Sequence, residues 1–372
     1  MRTGPGAPPA EFVRGRDGML GQRPGYDVVV CGGTLGIFLA AALQARGLRV
    51  CVVERGPLRG REQEWNISRA ELRELWECGV VDRQAAEGAI RSEFNPNRVA
   101  FHERCELWTT DILNIGVSPE VLVAEARRAF EEAGGVVRES TAVAGVDVFA
   151  DGVAVNVAGG ENRVMGELLI DCMGHGSPIV RQYRSVVLML ALPGTHAAGT
   201  YDRASPVAHR RACRGTRKPD GVCMVVGTVA SGFQNNQTSD VIATVSDAQP
   251  PGDTVADAQV FWEAFPAGSG PTDRTTYMFT YMDAEAHRHS LEEFFDLYWD
   301  LMPRYQGVTL EDIEVTWGML RRAGSQWGGA VHRSMLASRV RVHAGEAGAV
   351  RGLPHLPRFA PAGCPRPGLA SG

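Results

Sequence analysis

Apolar positions along the chain follow one rhythm up to about residue 184 and another from Val222 onward. In the first part, the run Val28-Val29-Val30-Cys31 breaks at Gly32-Gly33, and a small-residue stretch with Ala40, Ala41 and Ala42 follows. A second run, Val50-Cys51-Val52-Val53, then closes on Glu54. Short continuous apolar runs bounded by turn residues predict buried strands, so the segment reads strand, turn, helix, strand. Ser68 with Glu71 three residues on predicts a capping box at a helix start. A helix is predicted over Pro119 to Ala133, with Val121, Leu122, Ala126, Ala129 and Phe130 on one side and Gly134-Gly135 as its stop. Short strands are expected at Val136-Val137, Val143 to Phe149, Val153 to Val157 and Leu168 to Cys172.

From Val222 the spacing becomes that of an antiparallel sheet, with strands at Val222 to Val229, Gln259 to Phe265 and Thr275 to Tyr281. An amphipathic helix follows at Leu291 to Tyr305, where Leu291, Phe294, Phe295, Tyr298, Trp299 and Met302 form a broad apolar face of core type. The expected fold is α/β: a Rossmann-like nucleotide-binding domain joined to an antiparallel β substrate domain. The boundaries expected are a disordered lead over 1–25, a nucleotide domain over 26–184 and an irregular insertion over 185–214. A β-rich domain would then span 215–316 and a disordered or divergent tail 317–372. The lead is rich in Gly, Pro and Arg, and the insertion and tail lack sustained periodicity.

The composition removes several classes. A net charge of −5 gives no electrostatic footprint for nucleic acid. No apolar run reaches the roughly 20 residues of a spanning helix, so a soluble or membrane-peripheral protein is expected. The cysteines form no C-x-x-C pair and no zinc spacing; Cys31, Cys51 and Cys172 lie in strand-like runs and read as small buried hydrophobes, and no metal is expected. The lead contains Glu11 and Asp17 and little serine, which does not make a transit peptide.

The candidate chemistry starts at the glycine turn. In the spacing G-x-G-x-x-G, Cys31, Gly33 and Gly36 occupy the three glycine positions. Gly33 would let the backbone approach a pyrophosphate, Gly36 would let the helix pack on the strand, and Gly32 would absorb the unusual dihedral of the turn. Thr34 and Leu35 open the helix, whose first N–H groups suit anionic oxygens. Glu54, about 20 residues on, stands where a carboxylate accepts ribose hydroxyls, with Arg55 beside it. The charged loop Gly60 to Ser68, with Arg61 and Trp65, reads as a lid or wall beside a cofactor. Asp171, followed by Gly174 and Ser177, ends a strand expected beside the first strand of the sheet, where the acid would face the ligand.

These residues resemble the FAD-dependent lycopene cyclases of the CruA/CruP type, most closely the CruP-like paralogs of oxygenic phototrophs. The resemblance is carried by Cys31-Gly32-Gly33-Thr34-Leu35-Gly36-Ile37-Phe38, by the block Gly60-Arg61-Glu62-Gln63-Glu64-Trp65-Asn66-Ile67-Ser68-Arg69 and by Phe94-Asn95-Pro96-Asn97-Arg98. It continues in Asn114-Ile115-Gly116-Val117-Ser118-Pro119, Arg217-Lys218-Pro219-Asp220-Gly221-Val222 and Phe261-Trp262-Glu263-Ala264-Phe265-Pro266-Ala267-Gly268-Ser269-Gly270. It implies a fold like that of aromatic hydroxylases and geranylgeranyl reductases, FAD as cofactor with NAD(P)H as a candidate reductant, an apolar isoprenoid or carotenoid substrate, peripheral membrane contact and a chloroplast setting. Gly33 and Gly36 would hold the FAD pyrophosphate, Glu54 the adenosine ribose, and Asp171, Gly174 and Ser177 the second flavin motif.

Glu263 lies in a block similar to the Phe-Leu-Glu-Glu-Thr block of lycopene cyclases, where an acid takes part in cyclisation. It is the expected catalytic acid, flanked by Trp262 and Phe265; Ala264 stands at the second acid. Such proteins also carry a Gly-Asp block at the end of a late strand. None follows Val315, and Gly252-Asp253 lies in the substrate region. Two alternatives stay open: an FAD- and NAD(P)H-dependent monooxygenase or reductase of the same fold, and a catalytically incomplete protein that keeps the nucleotide half.

Overall fold

The computed structural model describes residues 11–101, 105–159, 163–182, 222–243, 259–282 and 290–323. The expected 185–214 insertion, the Arg217 to Gly221 block, Gly252-Asp253 and the chain beyond Ala323 lie outside these residues.

The first sheet has seven strands in the order β1 (Val13–Gly15), β10 (Val143–Phe149), β11 (Gly152–Val157), β12 (Arg163–Asp171), β2 (Tyr26–Cys31), β3 (Val50–Val53), β9 (Val136–Arg138). β12, β2, β3 and β9 are parallel neighbours. Their apolar runs are continuous because both faces are covered. Helices α1 (Gly36–Gln44) and α4 (Pro119–Glu132) close one face, burying Ile37, Ala40, Leu122, Ala126 and Phe130 against Val28, Val30, Val50 and Val52. Val29, Cys31, Cys51 and Val53 point to the other face and pack with Val155 and Val164.

Two expectations for the lead and the tail are corrected. Residues 13–15 are not disordered but pair in parallel with β10. The pairing is fixed by side chains: Gln182 both accepts from the Val13 N–H (2.7 Å) and donates to the Val13 carbonyl (2.8 Å), while Arg14 and Arg16 reach buried Asp147 of β10. At the other end, the strand β17 (Glu314–Ala323) runs past residue 316 and pairs with β13 (Val222–Ser231), whose ladder supplies the order that local composition does not.

The second sheet, ordered β17, β13, β16 (Arg274–Met282), β15 (Val260–Pro266), β14 (Ser239–Ala243), β6 (Asn97–Phe101), β7 (Cys105–Thr109), is antiparallel except where β14 meets β6. β6 and β7 therefore belong to the substrate-side sheet, although they fall inside the expected nucleotide segment 26–184. Helix α5 (Leu291–Gln306), capped by Ser290 and Glu293, covers one face with Phe294, Tyr298 and Met302 on Trp262 and Met278. A small sheet of β4 (Trp65–Ile67), β8 (Ile115–Val117) and β5 (Ile90–Glu93), with α2 (Arg69–Glu77) and α3 (Arg83–Gly88), falls in sequence between β3 and β9 of the first sheet. The Ser68–Glu71 capping box forms as expected.

Candidate nucleotide turn and buried acid

The glycine turn lies at the carboxyl end of β2, where the strand order reverses between β3 on one side and β12 on the other. Open parallel sheets bind ligands at such a switch point. Gly32 has φ +96°, and a Cβ there would sit 2.5 Å from the Cys172 backbone, so only glycine fits. A Cβ on Gly36 would meet Val30 at 2.7 Å and Cys172 at 3.3 Å, which brings α1 close to the sheet as the spacing implied. Over Gly33 the space is taken by Leu58, whose Cδ1 would lie 2.7 Å from a Cβ.

Helix α1 starts after Leu35 with no side chain capping it, whereas Ser68, Asp82, Ser118 and Ser290 cap α2, α3, α4 and α5. The first N–H groups of a helix have no intrahelical partner, so the turn from Thr34 to Gly36 offers donors to an anionic group. Glu54 reaches back to this turn: its carboxylate accepts from Gly33 N–H (2.6 Å) and Gly56 N–H (3.0 Å). Two contacts leave a carboxylate further lone pairs for hydroxyl donors. Arg55, next to it, is exposed. Cys31 is wholly buried, and burial, with Asp171 and the thiols of Cys51 and Cys172 nearby, pushes its thiol up to about 12. It packs as a small apolar residue.

Asp171 pairs in register with Cys31, so the acid-glycine turn adjoins the glycine turn. Its carboxylate accepts from the Met173 N–H (2.9 Å) and from the Ser177 hydroxyl, and so shapes the turn. Gly174 takes φ +67°, and Ser177 is fully buried and starts a short helical turn.

The second centre is on the sheet face that α5 does not cover. Successive residues of a strand point to opposite faces, so Phe261, Glu263 and Phe265 share this face while Trp262 and Ala264 pack under α5. Trp262 therefore does not flank the acid as expected; it stacks on Tyr298 at 5.0 Å. The neighbours of Glu263 come from register: Tyr277 of β16 on one side and Val241 of β14 on the other. Tyr277 donates its phenol hydrogen to Glu263 Oε2. Glu263 is 3% exposed, and burial outweighs the phenol bond and pushes its carboxyl up to about 7. Around it, Phe261 stacks on Phe279 at 5.1 Å, Tyr281 meets both edge-on, and Phe265 lies 6.2 Å from Tyr277. Through Ala243, Val241 and Val99 the same face continues to Phe101 and Leu107 at the sheet edge, 39% and 60% exposed.

Arg61 joins this centre. Its guanidinium donates to the carbonyls of Gln63 (3.0 Å) and Glu64 (3.3 Å), and its charge acts on the Tyr277 phenol. Trp65, read as a cofactor wall, packs edge-on against Phe38 of α1 at 6.1 Å and is part of the core.

No protein-family model matches the chain, and no curated protein matches it by sequence. Solved structures do match in fold. A geranylgeranyl bacteriochlorophyll reductase-like protein from Thermoplasma acidophilum superposes with a TM-score of 0.53 at 13% identity, covering 83% of this chain and 66% of that one. The halogenase PltM, solved with phloroglucinol and FAD, gives 0.53 at 14% identity, with 80% and 60% covered. Aklavinone-11 hydroxylase, solved with FAD and aklavinone, gives 0.50 at 19% identity, with 86% and 57% covered. The chain has the fold of these proteins. It spans between 57% and 66% of their lengths. This bears out the expected α/β architecture with a separate antiparallel sheet; identities this low establish the fold and no more.

Within that fold, the structure gathers Gly32, Gly33, Thr34, Leu35, Gly36 and Glu54 at one strand end and sets Asp171, Gly174 and Ser177 against them. Glu263 and Tyr277 form a separate centre on the second sheet, with Arg61 on the loop before β4 near enough for its charge to act on the Tyr277 phenol. Sequence reading missed Tyr277, which could be found only from the β15–β16 register.

Proposed function

We propose that this chain is an FAD-binding, lycopene cyclase-like protein in which Glu263 supplies the acid chemistry on a long apolar polyene. One observation carries the reading: a carboxyl buried on an aromatic sheet face, pushed up to about 7 by that burial, with a phenol as its hydrogen-bond donor. A general acid works best with a pKa near the operating pH.

The turn residues fit the cofactor. Thr34, Leu35 and Gly36 would hold the pyrophosphate at their uncapped helix start, with Gly32 and Gly33 shaping the turn because their N–H groups are taken by Val53 and Glu54; Glu54 and Arg55 would hold the adenosine side, and Asp171, Gly174 and Ser177 the second flavin turn. Bound FAD supplies a redox couple and, when reduced, a negative charge able to stabilise a cation. The rest falls to side chains. Because Tyr277 donates to Oε2, the hydrogen of neutral Glu263 sits on Oε1. Transfer of that proton to a terminal alkene carbon uses the π pair for the new C–H bond and leaves a carbocation on the adjacent carbon. A neighbouring double bond of the same polyene attacks it and closes the ring. Loss of a proton from the next carbon to the Glu263 carboxylate restores the acid, with no net redox change.

The aromatic face from Phe261 to Tyr281 would line the polyene. Exposed Phe101, Leu107, Trp108 and Ile112 would bring the sheet edge to the membrane, or in the plastid to the thylakoid surface, where such a substrate dissolves. A reductase or monooxygenase using FAD and NAD(P)H is the second reading, favoured by Ala264 at the second acid position and by the chemistry of the proteins that share the fold. Purified protein should take up FAD and show a flavin absorbance band; protein that stays colourless with added FAD leaves only a non-catalytic role. With FAD bound, Glu263→Gln should lower cyclisation by about 100- to 10,000-fold while NAD(P)H still reduces the flavin. Retained turnover of the polyene in that variant would leave the redox reading.

A further inference from the structure

Segments far apart in the chain meet at the carboxyl group of Glu64. Its Oε1 accepts from the Gly268 N–H at 2.9 Å, just beyond the end of β15. Its Oε2 lies 3.2 Å from Ser92 Oγ of β5, and that same Oγ lies 3.0 Å from the Pro266 carbonyl. From β8, Gly116 leaves the room this requires: a Cβ there would stand 2.4 Å from Glu64 Oε2 and 2.3 Å from Ser92 Oγ. The charged groups facing the carboxyl are Arg91 of β5 and, on its own loop, Arg61, whose guanidinium is turned to backbone carbonyls; Gly116 and Gly268 bring no charge.

The hydrogens do not add up for an ionised Glu64. A serine hydroxyl has one hydrogen, and here two acceptors claim it. With a carboxylate at Glu64, Ser92 satisfies either Pro266 or Glu64 and turns lone pairs toward the other. With a hydrogen on Oε2, every contact is met: Glu64 donates to Ser92 Oγ, Ser92 donates to the Pro266 carbonyl, and Gly268 N–H donates to Oε1. We propose that Glu64 is a positioning residue that works as a neutral carboxylic acid, its one proton latching the loop that carries Arg61 to the end of the strand that carries Glu263.

Burial acts in the same direction: it raises the Glu64 carboxyl above its ordinary range, against the lowering effects of the Gly268 N–H and Arg91, while Ser92 would lower it only as a donor to the carboxylate, the arrangement that the neutral acid replaces. The latch concerns the fold itself and does not depend on the flavin reading. A group held protonated in the folded state stabilises it fully below the ordinary glutamate range, and that stabilisation is lost as pH rises through the raised folded value.

The test is equilibrium unfolding of the full chain across pH in a Glu263→Gln background, so that the Glu263 carboxyl, also raised, does not titrate. Glutamine is the near-isostere of the neutral acid, with N–H to Ser92 and C=O to Gly268. The folding constant of the Glu64 protein should fall relative to that of Glu64→Gln, with a limiting slope of about tenfold per pH unit between the ordinary glutamate range and the raised folded value, and level off above it. Glu64→Gln should also remove one protonated-carboxylic-acid carbonyl band from the infrared spectrum. Parallel pH profiles, or an unchanged infrared band, would overturn the latch. If Glu64→Gln fails to fold, Ser92→Ala serves: loss of the relay should move the pH midpoint of the wild-type Glu64 down, and an unmoved midpoint overturns the proposal equally.

Discussion

Each of the two large sheets buries an acid, and the two carboxyls are shifted in opposite directions. Asp147 of β10 is wholly inaccessible, yet its carboxyl is held below the usual range. Burial alone would raise it, but Asn156 donates to it at 3.0 Å and the guanidiniums of Arg16 and Arg14 lie at 2.7 and 3.0 Å. Glu263 of β15 is buried to a similar degree and receives one phenol hydrogen, so burial prevails and the carboxyl rises to about 7. Burial sets the size of the penalty on a charge; the partners decide whether the charge remains. One acid fastens a strand, and the other is a stored proton.

The contrast can be broken at its strongest point by titration. The Glu263 shift from 4.5 to about 7 corresponds to about 3 kcal/mol. Because the folded value is raised, this stability is present in acid and lost as pH rises through about 7. Urea unfolding should show that loss in wild type, and Glu263→Gln should abolish it. Asp147 has the opposite sign: its contribution is present above the ordinary aspartate range and lost as pH falls through the lowered value. Asp147→Asn should cost about 2 kcal/mol, below the cost of breaking a dry pair because Arg14, Arg16 and Arg163 keep 39%, 43% and 49% exposure. Limited proteolysis should then cut residues 11–20 faster. The smallest change sharpens the comparison: Tyr277→Phe removes the one group that lowers the Glu263 value. It should move the alkaline loss of stability to higher pH and cost about 1 kcal/mol.

What was legible in the sequence follows the distance over which each feature is determined. The glycine turn, Glu54 and the Asp171 turn depend on short runs whose residue types are dictated by steric needs at Gly32 and Gly36, and they could be read directly. The Ser68 cap was set by a neighbour three residues away, and the face of α5 by neighbours three and four away. The site around Glu263 was not legible in this way. Period two sends Trp262 to the far face, and Tyr277 arrives through a cross-strand register that no local pattern carries. Nor could composition reveal β1: three residues in a Gly- and Arg-rich context form a strand only because Gln182 and Asp147 wait elsewhere in the chain.

The parallel pairing of β6 with β14 also places the two halves of the molecule on a clock. Asn97 and Ser239, which open that pairing and join through a buried side-chain bond, are 142 residues apart. A ribosome adding roughly 5 to 20 residues per second delivers the second about 7 to 30 seconds after the first. Through that interval the hairpin of β6 and β7 is already synthesised and lacks the strand that joins it to its sheet. Newly made chain therefore presents an open strand edge, with Phe101 and Leu107 on it, for the time in which chaperones act.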